Sequence, residues 1–149
     1  MVTLVELNQD NWEDCADLQV SEEQSQFIAS NLYSIAEVQF LPRFIVKGIQ
    51  HQETLVGLVM YGIDPDDGNY WIYRFMIDES HQRQGYGLQA MLLLIDEIRS
   101  SNKDNIPAIM IGYHTDNVGA HHFYQSVGFE FQGLADWGEY LAKFDLIKQ

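Results

Sequence analysis

The sequence predicts an α+β fold built on a mixed, largely antiparallel sheet. Three observations carry that expectation: three consecutive strand patterns joined by short turns, a long amphipathic helix pattern entered through glycines, and a closing strand, helix, strand, strand order. Residues 2–7 read as the first strand. A helix follows from about Asn11, where Asp10 and Glu13 have capping-box spacing, and Ser21 with Gln24 repeats that signal for a second helix running to about Gln39. In that second stretch Phe27, Ile28, Ile35 and Val38 share much of one apolar face, and Pro42 ends it. Residues 44–49, 55–63 and 70–77 read as strands. Pro65, Asp66, Asp67, Gly68 and Asn69 form a turn cluster between the last two, giving an antiparallel meander.

Leu88, Met91, Leu92, Ile95 and Ile98 have the spacing of a helix packing one face on a sheet, beginning just after Gly87. Residues 108–113 are short and apolar like a buried strand, 118–126 are helical, and 129–134 and 139–145 close the chain as strands. No repeat, low-complexity tract or linker divides the chain, and 149 residues suit one domain spanning 1–149.

Composition narrows the function. With 46% hydrophobic and 20% charged residues the balance is that of a folded domain. Cys15 is the only cysteine, so an intrachain disulfide is impossible and a cysteine-based metal site lacks ligands. The formal charge of −14 repels nucleic acid and anionic membranes and concentrates cationic ligands; solubility alone is the plainer explanation of it. Residues 1–8 lack a basic region and apolar stretch, and no apolar run approaches the ~18 residues of a membrane span, so a cytoplasmic location is expected. A homodimer is compatible with these features and is not specified by them.

The segment His81, Gln82, Arg83, Gln84, Gly85, Tyr86, Gly87, Leu88 joins a strand to a helix start. Glycines there permit backbone conformations and close approach that a Cβ would obstruct, while first-turn amides and the helix dipole favour a phosphate. Arg83 adds a cation. Gly85, Gly87 and Ala90 also satisfy G-x-G-x-x-A, but residues 78–84 separate them from the strand and no acidic residue falls about 20 positions on, which argues against a dinucleotide fold. A purely structural turn is the plainer alternative.

Gln82 to Gly87 resembles the Q/R-x-x-G-x-G/A signature of GNAT acetyltransferases. A second segment is similar to that family's N-x-x-A-x-x-x-Y-x-x-x-G-F, matched by Asn117, Ala120, Tyr124, Gly128 and Phe129. The resemblance spans nearly the whole chain, and residues 24–34, 56–61 and 73–78 are similar specifically to bacterial diamine and spermine/spermidine N-acetyltransferases. It implies a GNAT fold with helices on both faces of a twisted sheet and a cofactor cleft between two splayed strands, 70–77 and 108–113. It further implies transfer of an acetyl group from acetyl-CoA to a primary amine by direct attack in a ternary complex.

On that resemblance, Phe75 and Ile77 are strand contacts for pantetheine, a backbone amide near Phe75 or Met76 steadies the oxyanion, and Asn117 binds pantetheine. Residues Gln82 to Leu88 cradle the diphosphate. Tyr124 is the expected acid for the departing thiolate; packing for Tyr124 and helix capping for Asn117 are the structural alternatives. Several polyamine acetyltransferases place a glutamate base where Tyr73 stands here, so the base is open, with Asp78, Glu79 and His114 as weak candidates. His121 and His122 are adjacent on a helix and point about 100° apart, which does not make a one-face metal pair.

For the amine, Gln24, Phe27, Asn31 and Ser34 recur at helical intervals and offer amides and a hydroxyl beside a ring; Tyr73 and Asp78 join them as expected substrate contacts. Phe27, Trp71, Tyr73 and Trp137 suit methylene chains or cations, or simply a core. Glu22, Glu23, Glu37, Asp78 and Glu79 are possible partners for a distal ammonium. A polyamine or diamine is the expected substrate, with an aminoglycoside, a protein amino terminus, or a non-catalytic acyl-CoA sensor as alternatives.

Overall fold

A computed structural model describes residues 1–147. Seven strands form one sheet in the order β1-β2-β3-β4-β5-β7-β6. β1 (Val2–Glu6), β2 (Phe44–His51), β3 (Thr54–Ile63) and β4 (Tyr70–Ile77) make the antiparallel meander. β5 (Ala108–Tyr113) then lies parallel to β4, and β6 (Glu130–Leu134) and β7 (Tyr140–Asp145) complete the far side antiparallel.

The β4 to β5 junction positions everything else. Only Tyr70, Trp71 and Ile72 pair with β5, against Ile109, Met110 and Ile111. Immediately beyond, the β3 register slips so that Tyr61 faces Ile72 while Met60 faces Arg74, which leaves Tyr73 as the extra residue of a bulge. A bulge bends its strand and increases local twist. β4 therefore leaves β5 after Ile72, and residues 73–77 border an open wedge.

Strand alternation sends side chains to two cores. On one face Leu58 and Met76 pack with Cys15 of α1 (Trp12–Asp17) and Ile35 of α2 (Asn31–Val38). On the other, Val59, Ile72, Ile109 and Ile111 pack with Met91, Leu94, Ile95 and Ile98 of α3 (Tyr86–Ser101) and Tyr124 of α4 (Val118–Val127). Helices thus cover both faces. Burying each such aliphatic side chain contributes about 1.5–3 kcal/mol, which makes the α3 stripe the largest single anchor.

Two expectations of capping fail. Asp10 is not the cap of α1: Asn11 occupies that position, and the Asn8 side chain accepts from the Asp10 and Asn11 amides. The helix expected from Ser21 to Gln39 is broken. Ser21 starts only the short 3-10 turn Gln24–Gln26, and Ser30 starts α2 afresh by accepting from the Tyr33 amide at 3.1 Å. Ser30 has ψ of 157°, extended as an N-cap requires, so a second competent cap inside the apolar pattern divided it.

Cys15 is fully buried, and burial pushes its thiol up to about 11. The folded protein is expected to show no rapidly reacting thiol with an aromatic disulfide reagent, and one after denaturation. A fast stoichiometric reaction in native buffer would contradict this packing. The result bears on any assay that follows thiol release.

Candidate active site

Three cavities follow one another along the wedge and share walls. The first, of about 420 Å³, runs from the start of α3 to Phe75, Asn117 and Tyr124. The second, of about 280 Å³, takes over at Phe75, Asn117 and Tyr124 and extends to Tyr73, Arg74 and Glu139. The third, of about 510 Å³, begins at Tyr73, Arg74 and Glu139 and opens toward the β3 to β4 loop.

The first cavity is lined by Gln82, Arg83, Gly85, Tyr86, Gly87 and Leu88 at one end. Gly85 is the N-cap of α3 with φ of 83°, in the left-handed region, and offers no side chain to the first-turn amides. Those amides have no intrahelical acceptor. Arg83 also has positive φ, 64°, so the chain makes two left-handed steps just before the helix. The Gln82 side-chain amide donates to the Ile77 carbonyl at 2.9 Å and to Gln24 at 3.0 Å, tying this turn to β4. Gln84 is exposed and does not line the cavity.

Strand geometry separates Phe75 and Ile77 from Met76. The Asp78 amide donates to Val56 on β3 at 2.7 Å, so by alternation the Met76 backbone also faces β3. The backbone groups of Phe75 and Ile77 face the wedge, where β5 has already departed. Of the two amides expected to steady an oxyanion, only that of Phe75 is free to do so. Met76 also lines the first cavity, but it is buried and its sulfur lies 3.5 Å from the Asn31 amide nitrogen.

Asn117 caps α4, its Oδ1 accepting from Ala120 at 3.1 Å, and its NH₂ has no protein acceptor among the described residues. Capping and ligand binding are compatible, since they use different atoms. Tyr124, only 8% exposed, borders both the first and second cavities. Burial, and to a lesser degree the neighbouring Tyr113, pushes its phenol well above the ordinary value, so the hydroxyl holds its proton throughout the neutral range.

The third cavity was largely invisible in the sequence. Glu37, Asp64, Asp66, Asp67 and Glu139 line it against the single guanidinium of Arg74, and Trp71, Tyr73 and Trp137 supply rings. Of the carboxylates, only Glu37 stood among the candidates; the others come from two loops whose meeting needs the closed sheet. Arg74 lies 3.0 Å from Glu37, the Trp71 indole donates to Asp67 and the Trp137 indole to Glu139 at 2.7 Å. The Tyr73 hydroxyl donates to Asp64. Burial, then that bond and the charge of Asp64, raise the Tyr73 phenol far above its ordinary value, which leaves it neutral and no base.

Other candidates fall elsewhere. Gln24 lines the first cavity, not the third, and Phe27 spans the first and second with its ring 5.0 Å from that of His114. Asn31 is 3% exposed, donates to the Cys15 carbonyl at 2.9 Å and lines a separate cavity of about 730 Å³ with Glu22 and Glu79. The break at Ser30 removed the single helix face on which Gln24, Phe27, Asn31 and Ser34 were expected together. Asp78 borders none of the three cavities: its carboxylate accepts from the Gln19 and Ser80 amides and the Ser80 hydroxyl. Burial pushes its pKa up, but those bonds outweigh it and the net shift is downward. Such a carboxylate makes a poor base. Glu23 is exposed on the 3-10 turn, and His114 is exposed at the end of β5. His121 is half-buried, 2.7 Å from the Tyr113 hydroxyl, while His122 is exposed.

A glycine turn at a helix start, the wedge-facing backbone of Phe75 and a buried neutral tyrosine thus line one cavity. The chain matches the Acetyltransferase (GNAT) family over residues 3–129 and belongs to it. It is therefore an acyltransferase that uses acetyl-CoA. Among curated relatives, the spermine/spermidine N(1)-acetyltransferase of Bacillus subtilis is 28% identical over 142 residues, covering 91% of this chain and 92% of that protein. The fold is shared with the ribosomal-protein-S18-alanine N-acetyltransferase of Escherichia coli, at TM-score 0.73 and 17% identity over 100% of this chain and 96% of that one. It is shared also with the PaiA N-acetyltransferase of Thermoplasma acidophilum in complex with coenzyme A, at TM-score 0.69 and 16% identity over 97% and 99%.

The first cavity fits that cofactor. No aspartate or glutamate lines it, Arg83 does, and the backbone at Gly85 leaves open space where a side chain would project, the nearest atom to a Cβ being Gln89 Nε2 at 3.9 Å. In a chain of charge −14, a carboxylate-free wall for an anion is a specific arrangement.

Proposed function

We propose that this protein N-acetylates a linear polyamine or diamine. One observation carries the reading: the cavity suited to acetyl-CoA passes, through a shared middle cavity at Tyr124, into a chamber where five carboxylates face one guanidinium among three aromatic rings. An extended cation suits such walls, since methylenes pack on rings while ammonium groups meet carboxylates. The relation to a spermine/spermidine enzyme supports the same substrate class. No described helix is long and apolar enough to cross a membrane.

In this reading acetyl-CoA supplies the acetyl group as an activated thioester. The first-turn amides of α3 and Arg83 hold the diphosphate, and Phe75, Ile77 and the Asn117 NH₂ orient the pantetheine arm. The Phe75 amide donates to developing negative charge on the carbonyl oxygen. Tyr124 keeps a proton at its hydroxyl for the departing thiolate. An alkylamine near pKa 10.4 costs roughly 4.6 kcal/mol to deprotonate at pH 7, so proton removal is a distinct requirement that water fulfils at the polar middle cavity.

Spermidine and a diamine are expected to be acetylated with higher kcat/KM than a monoamine of matched length, and the advantage should shrink as salt rises. Thiol release across ionic strength measures it. Equal kcat/KM for all three, with turnover of an aminoglycoside or a peptide amino terminus, would transfer the assignment to that amine class.

A further inference from the structure

We propose that Glu139 is the specificity-determining carboxylate of this enzyme, gripping the first ammonium group beyond the nitrogen that is acetylated. The proposal rests on the polyamine reading and says which residue measures the substrate. Among the described residues Glu139 is the sole carboxylate bordering both the middle cavity, where Tyr124 and Asn117 lie, and the acidic chamber. Asp64, Asp66 and Asp67 border the outer chamber alone. A chain threaded from Tyr124 outward meets Glu139 first.

Two features hold it there. The Trp137 indole N–H donates to Oε1 at 2.7 Å, fixing one oxygen and leaving the other for a ligand. Beneath it, Gly112 of β5 supplies floor without a side chain: a Cβ at that position would stand 3.0 Å from Oε1. The glycine has ordinary strand surroundings and no left-handed backbone requirement. What its missing side chain provides is room for a half-buried carboxylate laid across the strand.

The chemistry favours the second ammonium over the reacting one. A carboxylate in contact with the reacting nitrogen would stabilise its protonated, unreactive form, whereas one a few methylenes away binds charge with far less effect on nucleophilicity. The neighbouring Arg74 donates to Glu37 and to the Tyr73 carbonyl. Among the described residues the Glu139 carboxylate accepts from one neutral side-chain donor, the Trp137 indole, and makes no ion pair.

The test is kinetic, with a series of α,ω-diamines of increasing length and their matched monoamines. Glu139→Gln preserves size and an oxygen for Trp137, and should lower the ratio of diamine to monoamine kcat/KM by about tenfold, mostly through the diamine KM. Glu139→Asp keeps the charge but draws it back one methylene, and should change the diamine length that reacts best. A merely structural role would lower both amine classes together and leave the optimum length in place. A wild-type preference for diamines that survives in Glu139→Gln, or an unchanged optimum in Glu139→Asp, overturns the assignment to Glu139 alone. If the wild type shows no such preference, the polyamine reading has failed and this inference falls with it.

Discussion

Replacing Tyr124 by phenylalanine is expected to lower the chemical rate by roughly 100-fold or more while leaving coenzyme A affinity almost unchanged. The hydroxyl has no protein hydrogen-bond partner among the described residues, so its removal orphans nothing, and the ring keeps its packing against Tyr113, Phe123 and Phe129. The pH profile sharpens the expectation. Because burial raises the phenol above its ordinary value of about 10, Tyr124 stays protonated below that pH and imposes no falling limb there. The profile of kcat/KM should instead rise through pH 7–9 as more amine loses its proton, on the amine's own pKa of about 10.4. The Phe variant should keep that rise at a lower height. Single-turnover measurement is decisive: an undiminished acetyl-transfer rate removes Tyr124 from the chemistry.

The sheet was legible because its signals are local. β4 and β5 begin and end at the expected residues, since each is an apolar run bounded by turn chemistry on both sides. The amphipathic stripe of α3 was equally plain, and its five expected contacts divide sensibly: Met91, Ile95 and Ile98 are buried, while Leu88 and Leu92 are exposed flanks. The segment from Ser21 to Gln39 failed for a local reason too. Ser21 and Ser30 are both competent caps, and helical spacing of apolar residues across Ser30 does not reveal that the chain restarts there.

The two ends of the reaction site differed in legibility for a physical reason. The proposed cofactor end lies in two contiguous segments, 82–88 and 117–124, so spacing alone could expose it. The acidic chamber gathers Glu37 from α2, Asp64, Asp66 and Asp67 from one turn, and Glu139 from the approach to β7. In the sequence Asp66 and Asp67 are ordinary turn residues and Glu139 an ordinary strand edge. Their convergence depends on strand order, with β7 crossing to sit beside β5. Asp78, a weak base candidate and an expected substrate contact, had the opposite fault: its place at a strand end resembled a site, but three donors already occupy its carboxylate.

Gly85→Val should weaken coenzyme A binding by at least about tenfold, some 1.4 kcal/mol, with the loss read directly by calorimetry. Two effects combine. At φ of 83° a β-branched side chain is strongly disfavoured, so the turn must shift to relieve about 1–2 kcal/mol of strain, carrying the first amides of α3 with it. Where the turn does not shift, the new side chain projects into space whose nearest protein atom is Gln89 Nε2, the space in which the proposed diphosphate would lie. Strain alone can be separated from blockade by a second glycine. Gly133 in β6 has φ of 100° and likewise nothing near its missing Cβ, yet it borders none of the three cavities. Gly133→Val should therefore lower Tm by a similar amount and leave coenzyme A affinity intact. If Gly85→Val instead binds coenzyme A as tightly as the wild type, the helix start is not the phosphate cradle, and the anion must be held by Arg83 and the strand groups without it.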